Sequence, residues 1–289
     1  MKLLLNQSTQ KSVDTLLSHP VHGILIEGPN GSGKYTLGLH IIGKLGRLAP
    51  DALENYQYFL HIQPTTKKNL GIEDIRTAQH FLRLKTTGKN NLRRFVLISQ
   101  ASTMSEEAQN ALLKTLEEPP EDTVIVLLVE DSHQLLPTCI SRLRTITVRP
   151  ASLEASYKYF ESANITKKDF DKLYYLSDGY VGVLYSLIYN NIPHPLYDAV
   201  GVAKSIIASP RYERLCKIEE LAKNKEQAQL IIDALRKVSR AMLYAAIKSQ
   251  NPKQIKKWHN NASLIIETQS NIKYNPQYKL LLTNLFINL

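Results

Sequence analysis

The chain has 289 residues, 43% hydrophobic and 21% charged, which is enough for two or three packed domains and typical of an ordinary soluble protein. Its opening, MKLLLNQSTQ, holds only a short leucine run, and no later apolar run approaches a membrane span, so neither a signal peptide nor a membrane partner is expected and the expected compartment is cytoplasmic. Lys and Arg outnumber Asp and Glu by 36 to 26, which favours polyanionic partners such as nucleic acid, while two distant cysteines, Cys139 and Cys216, argue against a disulfide framework or a four-cysteine zinc site.

From residue 20 to 148, short apolar runs alternate with helical patterns. Gly23–Glu27, Tyr58–Gln63, Phe95–Ser99, Val124–Val129 and Thr145–Val148 read as strands. Ile72, Ile75, Gln79 and Leu82 recur at helical spacing between the second and third runs, as do Met104, Ala108, Ala111 and Leu112 between the third and fourth. Thr103 or Ser105 opens the latter helix with a hydroxyl cap, and Pro119-Pro120 closes it, because proline cannot continue the hydrogen-bond ladder. Right-handed crossovers between such strands give an α/β fold with a mostly parallel, doubly wound sheet.

After Pro150 the strand signals stop. A stretch rich in Tyr and Leu up to Asp178-Gly179 reads as a small helical unit, and from Pro195 onward the pattern is all helical. Ala228, Ile231, Ile232, Leu235, Val238, Met242 and Leu243 mark a long amphipathic helix, and Asn251-Pro252 and Asn275-Pro276 set two further helix starts. The expected division is 1–150, 151–195 and 196–289, with one helical domain over 151–289 as the alternative. The last segment carries 15 basic and 7 acidic side chains, so most of the positive excess lies there.

Directly after the first strand comes Gly28-Pro29-Asn30-Gly31-Ser32-Gly33-Lys34-Tyr35-Thr36, followed by a helix pattern through Leu45, which is the context a Walker A phosphate loop requires. Glycines let consecutive amides turn onto phosphate oxygens, the helix N-terminus adds positive potential, and Lys34 reaches the outer phosphates. The competing reading is a plain glycine-rich strand-to-helix turn. One position departs from the motif. Where a Ser or Thr hydroxyl ligates Mg²⁺ after the lysine, this chain has Tyr35, and Thr36 stands about 100° further round the helix.

The third strand reads Phe95-Val96-Leu97-Ile98-Ser99-Gln100, whereas a P-loop ATPase ends this strand in carboxylates that hold the metal and orient water. Ser99 and Gln100 are neutral and do neither, so nucleotide, ATP or ADP, is expected to bind without turnover. The alternative is that Glu106 or Glu130 substitutes.

Asn110-Ala111-Leu112-Leu113-Lys114-Thr115-Leu116-Glu117-Glu118-Pro119-Pro120 closely resembles the motif after Walker B in bacterial clamp-loader subunits, and Leu135-Leu136-Pro137-Thr138-Cys139-Ile140-Ser141-Arg142 resembles the same family's LLPTIxSR segment. The end, Asn275-Pro276-Gln277-Tyr278-Lys279-Leu280-Leu281-Leu282, is similar to the family's collar helix. The missing carboxylates, the aromatic Tyr35 and the glycine at 182, where the family's ATPases usually carry a nucleotide-sensing arginine, point to the delta-prime type of DNA polymerase III subunit rather than gamma or tau. Two features depart from the family: there is no cysteine between Gly46 and Tyr58, where many relatives hold a zinc module, and Leu143 stands where a Ser-Arg-Cys triplet ends.

The resemblance implies an AAA+ P-loop domain, a helical lid and a helical collar in a ring with gamma/tau and delta subunits that loads the sliding clamp onto primed DNA. It also implies that Arg142 points into a neighbour's ATP site and acts there in trans; the competing reading is a surface arginine capping a helix. Arg83, Lys85, Lys89, Arg93 and Arg94 form a local run without acids, read as a solvated loop ahead of a phosphate contact. Two rival functions remain: a gamma/tau-like ATPase with atypical metal ligands, and a module that binds DNA through its basic C-terminal segment.

Overall fold

The computed structural model describes residues 3–49, 52–53, 55–65, 69–87, 92–189, 195–272, 274 and 276–289. Its contacts group into two compact units, one of residues 1–159 with 180–183 and one of residues 160–179 with 184–289. The 151–195 segment contributes to both.

In the first unit the elements run α1 (Gln7–Ser18), β1 (Gly23–Glu27), α2 (Lys34–Gly46), β2 (Phe59–Ile62), α3 (Ile72–Arg83), β3 (Arg94–Ile98), α4 (Glu106–Glu117), β4 (Thr123–Val129), α5 (Pro137–Ile140), β5 (Arg144–Thr147) and α6 (Leu153–Tyr159). The strands form one parallel sheet in the order β2-β3-β4-β1-β5. The register places Leu25 of β1 beside Leu127 of β4 on one side and Thr145 of β5 on the other.

Central strands covered on both faces need apolar residues in succession rather than in alternation, and β4, Thr-Val-Ile-Val-Leu-Leu-Val, is buried along its whole length. One face packs Ile24, Ile26, Val124 and Val126 against Val13 and Leu16 of α1 and Ile41 and Ile42 of α2. The other packs Leu25, Val96 and Ile125 against Ile75 and Leu82 of α3 and Ala108 and Leu112 of α4. Each fully buried Leu or Ile contributes about 1.5–3 kcal/mol, which makes the sheet a rigid platform for the loops at its strand ends.

The strands fall within a residue or two of their expected bounds. Ser105, not Thr103, caps α4, accepting from the Ala108 amide at 3.2 Å.

The second unit contains α7 (Lys167–Leu176), the rest of α8 (Val181–Tyr189), whose first turn belongs to the sheet unit, then α9 (Pro195–Ala208), α10 (Arg211–Cys216), α11 (Ile218–Leu221), α12 (Lys225–Lys248), α13 (Pro252–Ile272) and α14 (Tyr278–Asn288). The expected long helix is α12, which packs on α9 and α13 and buries Ile231, Ile232 and Leu235, as α13 buries Ile265. Asn251 caps α13 as expected, accepting from the Gln254 amide at 3.2 Å. Asn275 lies outside the described residues. Among the described residues no helix is long and apolar enough to cross a membrane.

Candidate functional site

Ligands of open parallel sheets bind beyond the carboxyl ends of the strands, and the loop from β1 to α2 is at that edge. Gly31 and Gly33 take left-handed backbone conformations, φ 73° and 90°, which turn successive amides to one side and form the concave nest of a phosphate loop. The first turn of α2 is anchored by Leu37 N–H donating to Gly33 O at 2.9 Å, and the loop is pinned to the sheet by Gly28 N–H donating to Val129 O at 3.1 Å.

The rest of the motif is placed as follows. Lys34 Nζ turns back onto the loop and donates to Gly28 O at 2.9 Å and Pro29 O at 3.2 Å. Burial lowers the Lys34 pKa, partly opposed by the negative charge of Glu130. Ser32 is buried, and its Oγ has no hydrogen-bond partner among the described residues. Pro29, Asn30 and Thr36 lie on the exposed rim of the loop or helix.

A contact that sequence reading missed closes over this loop. Val183 N–H, in the first turn of α8, donates to Gly31 O at 2.9 Å. A methyl group at Gly31 would come within 2.4 Å of Val183 Cγ2, and one at Gly182 within 2.5 Å of Gly31 O. Position 182 thus lies against the phosphate loop, and its glycine brings no cationic side chain there.

The metal side of the site is neutral. Tyr35 is exposed and its ring centroid lies 5.2 Å from that of His61, on β2. His61 Nε2 is 2.8 Å from Ser99 Oγ at the end of β3, and burial lowers the imidazole pKa, which favours the uncharged ring. Gln100 follows in a left-handed conformation, φ 51°. A hard divalent cation is held by oxygen ligands with carboxylate charge, and phenol, imidazole and hydroxyl here do not fit Mg²⁺. Among the described residues no group of three or more His, Cys, Asp and Glu is placed to hold a metal ion. His61 had no motif to announce it; its role comes from β2 lying beside β3.

Arg142 lies across the sheet unit at the end of α5. Pro137 starts that helix, and Gln109, buried on α4, fixes it: Leu136 N–H donates to Gln109 Oε1 at 2.7 Å, and Gln109 Nε2 donates to Met104 O at 3.3 Å. Cys139 Sγ donates to Gln109 O at 3.6 Å, and burial raises its thiol pKa. Leu143 packs into the core. The Arg142 guanidinium is left at the surface, donating to Thr138 O at 2.8 Å and pairing with Glu117 Oε1 at 2.6 Å.

The basic run separates. Arg94 is buried and donates to both Asp122 Oδ1 and the carbonyls of Leu82 and Leu84, so it is part of neither a solvated loop nor a phosphate contact. Arg93 Nε also reaches Asp122, at 3.3 Å, whereas Arg83 and Lys85 are exposed. Lys89 lies outside the described residues.

A parallel sheet in this order, a glycine-rich phosphate loop after β1 and a mostly helical second unit define a P-loop module of AAA+ type. Residues 7–152 match the family model described as DNA polymerase III, delta subunit, and the chain belongs to that family. It is 30% identical over 152 residues to the DNA polymerase III subunit delta' of Pseudomonas aeruginosa, covering 46% of this chain and 46% of that protein. It is 29% identical over 167 residues to the delta' subunit of Bacillus subtilis, covering 54% and 48%. Within the family the chain is therefore of the delta-prime clamp-loader type, and it spans about half the length of the curated relatives it matches. A DNA polymerase III gamma subunit-related protein from Thermotoga maritima aligns over 95% of this chain and 97% of its own, at 22% identity and a TM-score of 0.47.

Proposed function

We propose that this chain is a non-hydrolysing subunit of a DNA polymerase III clamp loader that donates Arg142 to the ATP site of a neighbouring ATPase subunit. The observation that carries this reading is the pairing of an anion cradle without metal ligands, at Tyr35, Ser99 and Gln100, with a surface guanidinium held on a rigid segment. An arginine delivered to a transferring phosphoryl group stabilises its developing charge and is worth about 10³–10⁵ in rate, which gives a reason to keep a subunit whose own site is silent.

The partners are gamma/tau and delta subunits in a ring, with the sliding clamp and primed DNA as the objects of the work and the cytoplasm as its place. Nucleotide at Gly28–Thr36, ATP or ADP, is held without turnover. The neutral Ser99 and Gln100 at the end of β3, where the hydrolysing pattern has carboxylates, weigh against the gamma/tau-like alternative. The test is Arg142→Ala in the assembled loader: ATP hydrolysis at the site it serves should fall about a thousandfold. An unchanged rate rules the role out, and hydrolysis by the purified chain that is lost on Lys34→Ala would select the ATPase reading instead.

A further inference from the structure

We infer that Glu117 is a positioning residue for Arg142, an inference that rests on the in-trans role proposed above. An arginine just past a four-residue helix has many rotamers open to it, and the two acceptors of its hydrogen bonds, Thr138 O and Ser141 Oγ at 2.8 and 3.4 Å, belong to its own turn. They hold the guanidinium back against the chain and give it no outward direction. Glu117 is the contact that comes from a different element. It is the last residue of α4, and its Oε1 lies 2.6 Å from Arg142 Nη2.

Both ends of this contact are rigidly based. α4 packs on the sheet through Ala108, Leu112 and Leu116, and it stops at Glu117 because Pro119-Pro120 follows. The arginine segment is fastened to the same helix by the Gln109 carboxamide and the Cys139 thiol. Arginine has five N–H donors in one plane. Nη1 donates to the chain's own turn and Nη2 is charge-paired with Glu117, which leaves the Nε–H edge for an incoming phosphate oxygen. Glu117 thus selects which edge of the guanidinium faces outward, and holding a catalytic group in its reactive direction before the substrate arrives is worth more than the small stability of a surface ion pair.

The experiment uses the assembled loader with its ATPase subunits and reads kcat and KM for ATP with the chain as wild type, Arg142→Ala, Glu117→Gln, Glu117→Asp, Glu118→Gln, and the Glu117→Gln/Arg142→Ala double variant. Glu117→Gln should lower kcat about tenfold with KM within about twofold, Glu117→Asp should restore part of the rate, and the double variant should be no slower than Arg142→Ala alone. Glu118→Gln removes the same charge from the adjacent residue and should match wild type. The positioning role is overturned if Arg142→Ala slows the assembly while Glu117→Gln does not, or if the two losses multiply. If Arg142→Ala itself has no effect, the in-trans role fails first and Glu117 has nothing to position. The pair lies at the surface, so the variants fold, and a thermal melt of each purified chain checks it.

Discussion

The amide of Val183 donates to the carbonyl of Gly31 at 2.9 Å, joining the first turn of α8 to the tip of the phosphate loop. The two residues on the loop side are glycines in left-handed conformations, and the residue before Val183 is also glycine, so three Cβ atoms are missing where the two backbones meet. Close approach of two backbones is what glycine allows.

Gly182→Ala is expected to be costly although it adds one methyl group. The new Cβ would stand 2.5 Å from Gly31 O and 3.4 Å from Gly33 N, both backbone atoms that cannot rotate away. Overpacking of this kind costs about 1–3 kcal/mol. Urea denaturation of the purified variant should show that loss, and stability equal to wild type would mean that the loop and the helix do not meet in solution.

Nucleotide binding by the purified chain should be indifferent to magnesium. Tyr35 occupies the hydroxyl ligand's position and His61 pairs with Ser99 where carboxylates would stand, so a divalent ion gains no protein ligand of its own. Titration calorimetry with ATP in magnesium and again in EDTA should give affinities within about threefold of each other. A tenfold or greater gain with magnesium would show that Glu130 or Glu106 holds the metal after all.

The strands and the phosphate loop were legible because both are local: unbroken apolar runs for buried parallel strands, and glycines at fixed spacing after one of them. Arg142 is singled out in the sequence by the segment around it, Leu135-Leu136-Pro137 and Ser141, and its in-trans role rests on the proposal above. What stayed hidden joins residues distant in sequence. Nothing in Gln109 announces that its carboxamide will hold the Leu136 amide, nor in Val183 that it will reach Gly31. The basic run at 83–94 misled for the same reason, since Asp122, which neutralises Arg94, follows 28 residues later.

Asp122→Ala should destabilise the sheet unit by about 3 kcal/mol, because it leaves Arg94 buried with only the carbonyls of Leu82 and Leu84 to accept from it. In the wild type, burial alone would raise the Asp122 pKa, but the Thr86 hydroxyl and the Arg94 and Arg93 guanidinium groups outweigh it and hold the carboxyl low. Chemical denaturation checks the loss. A change under about 0.5 kcal/mol would place the pair in the class of surface salt bridges and would return Arg94 to the candidates for phosphate contact.

Asp178 gives the second unit an acid limit. Its carboxylate accepts from Arg236 Nη2 at 2.7 Å, Lys237 Nζ at 2.5 Å and Arg240 Nη1 at 3.0 Å. Lys237 is itself buried in α12. Burial would raise the Asp178 pKa, and the charges of Lys237 and Arg236, with their hydrogen bonds, more than reverse this, so the folded value lies below the ordinary 3.8. A carboxylate whose pKa is lower folded than unfolded stabilises fully above the unfolded value and loses that contribution as pH falls through the folded one. Asp178→Asn should therefore cost about 3 kcal/mol near pH 7, where it leaves the buried Lys237 ammonium with Asp233, 3.8 Å away, as its carboxylate partner, and the gap to wild type should narrow as pH drops below about 4. Urea unfolding at both pH values, followed by the fluorescence of Trp258 in the same unit, measures it, and a gap that stayed constant with pH would show that Asp178 is not the group that titrates.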